Sequence, residues 1–380
     1  MYDTIIVGSS IYNLIYGIKE LKNNKKVLII ESNSYAGKLS SSFSYHGYSF
    51  DRNNFELLNY DSLFKKLNIK IDTKTIGDNI ISYIDSKKYE IPLNKEEFIN
   101  KMEEYNKGSL IYVNKFLDIC KEVNDIPNHK YKSYRLLDVY KELKIPKKVQ
   151  YILNSFYLYL GKSLKEVRFL EYSNIINSYL NNNVCVPVNG FGDITESLLD
   201  LYRSLNGDIL FNTNIKSIDN NVVTIFNEEY KADNIIINNE IHNKEYLSLY
   251  LVIDKTMEEL KLNNYLYFIY NDLNMSKIYN DNLILHIKEE DNKTIMNIST
   301  FITNNIFERK VNLNNYFRIK DEICINMITL VEYTLNINIM DNILESIILT
   351  PVDYMKDGIN NISLESLDYM NVYEKEVEHE

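Results

Sequence analysis

A chain of 380 residues with 45% hydrophobic content can bury a large core, and that length points to two lobes rather than one. A formal charge of −11 argues against nucleic acid as a main partner, because phosphate binding relies on clustered Lys and Arg. Three scattered cysteines, Cys120, Cys185 and Cys324, show no C-x-x-C spacing and fit a reducing compartment better than a disulfide framework.

The first strand begins almost at Met1, and no apolar run approaches a membrane span, so a cytoplasmic location is expected. Residues Thr4 to Val7 form a β-branched run, and Gly8 lets the chain turn. Ile11, Leu14, Ile15, Ile18 and Leu21 then give the apolar stripe of a helix, and Val27 to Ile30 form a second buried strand ending at the acid Glu31. This is the layout of a dinucleotide-binding βαβ unit, where amides at the helix start meet a pyrophosphate and the acid takes a ribose hydroxyl. A full G-x-G-x-x-G needs glycine at 8, 10 and 13, but the chain has Gly8, Ser10 and Asn13. A Cβ at Ser10 stands where bare backbone would approach phosphate, so the site is expected to be degenerate, with no cofactor. If one is retained, Gly8, Ser9 and Ser10 would face the pyrophosphate and Glu31 the ribose.

Gly37 and small hydroxyl residues follow in a loop beside this crevice. Phe43 to Asp51 reads as a hairpin around His46-Gly47, with His46 a turn residue rather than a catalytic one. Asp61 to Leu67 reads as a helix, and Ile80 to Ile84 with Lys88 to Ile91 as a second hairpin closing at Pro92. From Asn94 to about Asn181 the periodicity is helical, with joints at Pro127, Pro146 and Gly161. These apolar helix faces are either core or the lining of a pocket for an apolar ligand, with Val113, Phe116, Leu117, Ile152 and Phe156 as candidate lining. The pair Lys147-Lys148 reads as solvated surface.

Val184 to Asp193 is a strand that breaks at Gly190 and Gly192 before a helix, with Asp193 as expected N-cap and Glu196 three residues on. Short strands follow to Ile237, then a further set of strands with a helix from about Lys320 to Leu335. The expected segments are 1–93 and 184–239 for the framework, 94–183 for a helical insert, 240–373 for a partner-side or substrate-side sheet, and an acidic tail 374–380. No metal spacing and no G-x-S-x-G appear, which excludes the common hydrolase and metalloenzyme patterns.

The opening βαβ unit, Asn33-Ser-Tyr-Ala-Gly37, the 80–92 hairpin, Leu137-Asp-Val-Tyr-Lys-Glu-Leu143 and above all Pro187-Val-Asn-Gly-Phe-Gly-Asp193 resemble one superfamily. It joins Rab GDP-dissociation inhibitors and Rab escort proteins to flavin-dependent amine oxidases and phytoene desaturases. The resemblance implies an α/β fold: a Rossmann-like FAD/NAD(P)-binding framework with a sheet-containing second region and an inserted helical lobe. Lys25-Lys-Val-Leu28 and Tyr35 before Gly37 are similar to the inhibitor branch, which implies a role in vesicle transport. There the chain would bind a prenylated Rab-like small GTPase and meet membranes peripherally. Tyr35, Gly190, Gly192 and Asp193 would serve the partner, and the helical lobe would take the prenyl chain. The chain departs from that branch at Ala36, where an aromatic is expected, and at Asp200, where an Arg is expected. The oxidase branch implies FAD, with Gly37, Lys38 and Ser40 on the flavin side, although Gly358 is the sole glycine after Gly207. A third reading is an inactivated scaffold that keeps the fold for other contacts.

Overall fold

The structure, a computed structural model, describes residues 1–52, 56, 60–181, 184–237, 245–271, 282–302 and 313–356. The acidic tail 374–380 and Gly358 lie outside the described residues. The chain forms two compact units, one from 1–74, 185–243 and 353–380, the other from 75–184 and 244–352. The 79–92 hairpin, the helical stretch and the later strands therefore fall in a single unit.

The first unit opens with β1 (Tyr2–Val7), α1 (Ile11–Lys22), β2 (Val27–Ile30), the hairpin β3 (Ser42–Tyr45) and β4 (Tyr48–Asp51), and α2 (Tyr60–Leu67). After β5 (Thr73–Thr75) the second unit begins with β6 (Asn79–Ile84) and β7 (Lys87–Pro92). Helices follow: α3 (Lys95–Tyr105), α4 (Leu110–Asp125), α5 (Leu136–Glu142), α6 (Lys147–Leu153) and α7 (Phe169–Asn181). The chain returns to the first unit with β8 (Cys185–Pro187), α8 (Phe191–Ser204), β9 (Asp208–Leu210), β10 (Ile215–Asp219), β11 (Val222–Ile225) and β12 (Glu228–Ile237). The second unit is completed by β13 (Glu245–Ile253), β14 (Leu266–Tyr270), β15 (Leu283–Glu290), β16 (Lys293–Ile302), α9 (Leu313–Leu335) and β17 (Ile343–Leu349), and α10 (Pro351–Lys356) ends the described chain.

The first unit holds a six-stranded sheet in the order β10-β11-β12-β1-β2-β9. β1 lies parallel to β2 and β12, and β2 parallel to β9. One face carries Ile6, Val27 and Ile29 against Leu14, Ile15 and Ile18 of α1 and Ile194 and Leu198 of α8. The other face buries Ile5, Leu28 and Ile30 with Val223, Ile225 and Ala232. Both faces are covered, so the central strands read as unbroken apolar runs rather than alternating ones. α1 and α8 meet closely at Gly17, where an added Cβ would stand 2.8 Å from the Tyr202 ring.

The second unit holds a seven-stranded sheet, β17-β13-β16-β15-β14-β6-β7. Its pairs are antiparallel except β14 with β6. Leu249, Leu251, Leu285, Met296 and Ile298 form one face and pack on Ile323, Met327, Ile328 and Val331 of α9. On the opposite face the turn 154–160 sits over β6 and β14. Ser155 Oγ donates to Ser82 Oγ at 3.1 Å, and the rings of Tyr157 and Tyr159 meet those of Tyr270 and Phe268.

One expected boundary moves. α8 starts at Phe191 with Gly190 as its N-cap, so Asp193 falls in the first turn instead of capping it. A carboxylate from β4 fills that role, which removes the need for a local cap.

Candidate functional site

The site in the first unit is built where β1 and β2 end side by side. Gly8 closes β1 with φ +89°, a conformation that favours glycine, and its amide donates to Ile30 O at 2.8 Å. Ser10 is the N-cap of α1: its hydroxyl accepts the amide of Asn13 at 3.3 Å. Asn13, at the third fingerprint position, is buried. Its Nδ2 donates to the carbonyls of Val7 at 3.0 Å and Gly8 at 2.9 Å, bracing the turn from within.

Glu31 is fully buried at the end of β2. Its Oε2 accepts from the amide of Ser9 at 2.8 Å and from the Ser9 hydroxyl at 2.6 Å. Its Oε1 accepts from the amide of Asn33 at 2.9 Å and the Ser32 hydroxyl at 3.3 Å. A carboxylate has about four acceptor positions, and here four donors of the protein itself occupy them.

The loop that follows is locked to its neighbours. Gly37, at φ +91°, donates its amide to Ser9 O at 2.8 Å, and a Cβ on it would stand 2.6 Å from Thr195. Thr195 Oγ1 in turn donates to Ser40 O at 2.7 Å. Lys38 holds a left-handed backbone at φ +47°, and its Nζ lies 3.2 Å from where a Gly8 Cβ would be. Among the described residues its ammonium makes no ion pair, and the first turn of α1 carries no acid. A cation, a helix start and a glycine turn thus converge, an arrangement that favours an anion.

The sequence-predicted partner residues lie around the start of α8. Asp51 Oδ1 accepts from the amide of Phe191 at 2.8 Å and from the Ser42 hydroxyl at 2.6 Å, while Ser42 Oγ accepts from the amide of Gly192 at 2.9 Å. A Cβ at Gly190 would stand 2.6 Å from Asp51 Oδ1, and one at Gly192 2.7 Å from Ser42 Oγ. The two glycines therefore let the β3–β4 hairpin reach the helix. Asp193 is half-buried and accepts from Asn189 Nδ2 at 3.3 Å. The Tyr35 ring lies under the guanidinium of Arg52, 5.1 Å away. The structure brings Gly8, Ser9, Glu31, Gly37 and Lys38 into one turn-and-loop cluster, and ties Ser40 to α8 through Thr195.

The residues proposed to line a lipid pocket, Val113, Phe116, Leu117, Ile152 and Phe156, are all buried in the second unit. Phe116 packs on Tyr140, Phe169 and Tyr172, and Phe156 on Phe98 and Tyr179. In this structure they are tightly packed core. Burial also pushes the Cys120 thiol and the Tyr140 and Tyr172 hydroxyls well above their ordinary pKa values, which leaves them neutral.

Sequence reasoning missed a polar row on the sheet of the second unit. Asn297 of β16 sits directly between Tyr250 of β13 and His286 of β15, and Ser248 is two residues from Tyr250 on the same face. Asn297 is 5% exposed, yet among the described residues neither its Oδ1 nor its Nδ2 meets a hydrogen-bond partner, and nor does the fully buried Ser248 Oγ. The signal was the recurrence of polar residues every second position in strands that are otherwise apolar. Among the described residues no group of three or more His, Cys, Asp or Glu gathers as a metal site, and no helix is long and apolar enough to cross a membrane.

No family model matches the chain. It is 24% identical over 356 aligned residues to the all-trans-retinol 13,14-reductase of Danio rerio, covering 73% of this chain and 58% of that relative. Among solved structures it is similar to Rab GDI from Plasmodium falciparum, with a TM-score of 0.60, 14% identity, and coverage of 92% of this chain and 88% of that one. It is also similar to cyclohexylamine oxidase from Brevibacterium oxydans, with a TM-score of 0.58, 13% identity, and coverage of 92% and 84%. The chain has the α/β fold that these two proteins share, as the sequence resemblance implied.

Proposed function

We propose that the chain is a binding protein of the GDP-dissociation-inhibitor kind, holding a prenylated Rab-type GTPase on a framework whose dinucleotide crevice is degenerate. Glu31 carries this reading. The carboxylate that a working crevice offers to a ribose is committed on all sides to Ser9, Ser32 and Asn33. The likeness in fold to Rab GDI and the inhibitor-like wording around Tyr35 and Gly37 support the same conclusion. Tyr35, Gly190, Gly192 and Asp193 would form the partner platform. The prenyl chain would enter among Val113, Phe116, Leu117, Ile152 and Phe156, which must part to admit it. Shielding the chain from water, at about 0.8 kcal/mol per methylene, would offset its partition into the bilayer. The test is extraction: vesicles bearing a prenylated Rab-type GTPase in its GDP form are mixed with the purified chain and sedimented. The GTPase is expected in the supernatant with the chain, and its full retention on the vesicles would discard the reading.

The second reading is an FAD-dependent oxidoreductase, favoured by the 24% identity to the retinol reductase and by the free ammonium of Lys38 over the Gly8 turn. There Gly8, Ser9, Ser10 and Lys38 would meet the pyrophosphate, with Gly37 and Ser40 beyond. These residues fit the anionic part of such a group, whereas Glu31 does not fit its ribose, so no catalytic step is derived through it. A yellow preparation with flavin absorption bands would decide for this reading, and a colourless one that stays so after incubation with FAD and gel filtration would decide against it.

A further inference from the structure

Charge is distributed unevenly along this acidic chain. Residues 130–168 contain ten Lys and Arg against three Asp and Glu, a local charge of +7 in a chain whose total is −11. The densest part is the corner joining α5 to α6, where four lysines fall within eight residues: Lys141, Lys144, Lys147 and Lys148. All four are exposed, and none forms an ion pair among the described residues. Their direction is fixed by what the corner buries. Leu143, Ile145 and Val149 alternate with them and point inward, and the amides of Lys144 and Ile145 bond back to Lys141 O and Tyr140 O, which holds the corner tight. The acid within the corner, Glu142, is already held by Lys130 Nζ at 2.6 Å and by the Tyr131 hydroxyl at 2.9 Å. Tyr151, one turn further along α6, is 38% exposed and adds an amphipathic ring to the same corner.

We infer that the α5–α6 corner is a docking surface for an anionic membrane leaflet. Several features favour lipid over other anions. The four cations are hydrated lysine point charges without an arginine among them, so no bidentate grip on a single phosphate is built. A cluster of lysines beside an exposed tyrosine matches instead the diffuse negative potential of a lipid surface, to which each lysine contributes by proximity. The inference stands apart from the GTPase reading, since docking needs neither a GTPase nor a prenyl group.

The experiment is co-sedimentation of the full chain with vesicles of phosphatidylcholine alone or with added phosphatidylserine, at low and high salt. Binding is expected only to the phosphatidylserine vesicles and only at low salt. The variant Lys141→Glu/Lys144→Glu/Lys147→Glu/Lys148→Glu should weaken that binding by about a hundredfold or more. A control with the same change in net charge, Lys74→Glu/Lys107→Glu/Lys216→Glu/Lys231→Glu, should retain most of it. Absence of binding by the wild-type chain, equal binding to both kinds of vesicle, or equal loss in the two variants would each overturn the inference. Binding that persists while no GTPase is extracted would leave this surface standing and remove the function proposed above.

Discussion

Glu31 concentrates what single residues decide in this protein. An acid at the end of the second strand is legible from sequence, because a lone carboxylate closing a run of four apolar residues marks where a buried strand stops. Its partners are not legible, because they depend on how the loop 32–41 folds back over the Gly8 turn. Replacing Glu31 with Gln keeps the shape but presents an NH2 where donors already point, so Ser9 or Asn33 loses its acceptor. The expected cost is about 2–3 kcal/mol of stability, read from urea unfolding, since hydrogen bonds to a charged acceptor are worth that order. An unchanged midpoint would mean that the carboxylate is not committed as described. Asn13 carries a similar lesson. In sequence it is only a missing glycine, whereas in the fold its side chain bonds two carbonyls of the turn that a third glycine would have left open.

Among the elements, the start of α8 shows why a strong sequence signal can be misread. Paired glycines followed by an acid announce a helix, and a helix is there. The acid nearest in sequence is not its cap, because Asp51, 140 residues earlier, already accepts the Phe191 amide. Nothing local in the sequence announces that the hairpin and the helix meet. Asp51→Ala should therefore loosen both at once, lowering stability by about 1–2 kcal/mol. Proteolysis of the native protein is the check: new cuts should appear near β3–β4, and cuts elsewhere alone would contradict the link. Gly17 has the same character. Within a helical stripe it looks like a weak point, yet it is the place where α1 admits the Tyr202 ring.

Over the whole molecule, 32 tyrosines and no tryptophan give the interior an unusual response to pH. Burial pushes Tyr140, Tyr172, Tyr202 and Tyr270 above their ordinary pKa values. Tyr2 is pushed up to about 12 by burial and by the hydroxyl's bond to Asp208. Folded values above the unfolded value of about 10 mean that the native chain keeps protons the unfolded chain would release. Stability is then fully present below about pH 10 and falls as pH rises toward 12 and beyond. Tyrosinate absorbance should accordingly show an early exposed class and a late class that appears together with loss of helical circular dichroism. A single smooth titration with the fold intact would refute this. The division into strands and helices was largely readable from periodicity. The pairing of distant strands was not, because apolar runs do not name their neighbours.

The central strand of the first sheet has one neighbour about 25 residues away and another about 230 residues away, with Tyr2 opposite Ala232. A ribosome that has released β1 must add more than two hundred further residues before β12 emerges, a delay on the order of ten seconds or more. During that interval a strongly apolar edge stands open, long before the sheet can close over it. Newly made chains should therefore depend on a holding chaperone early in synthesis, even though the finished protein has its apolar core on both sides of that strand.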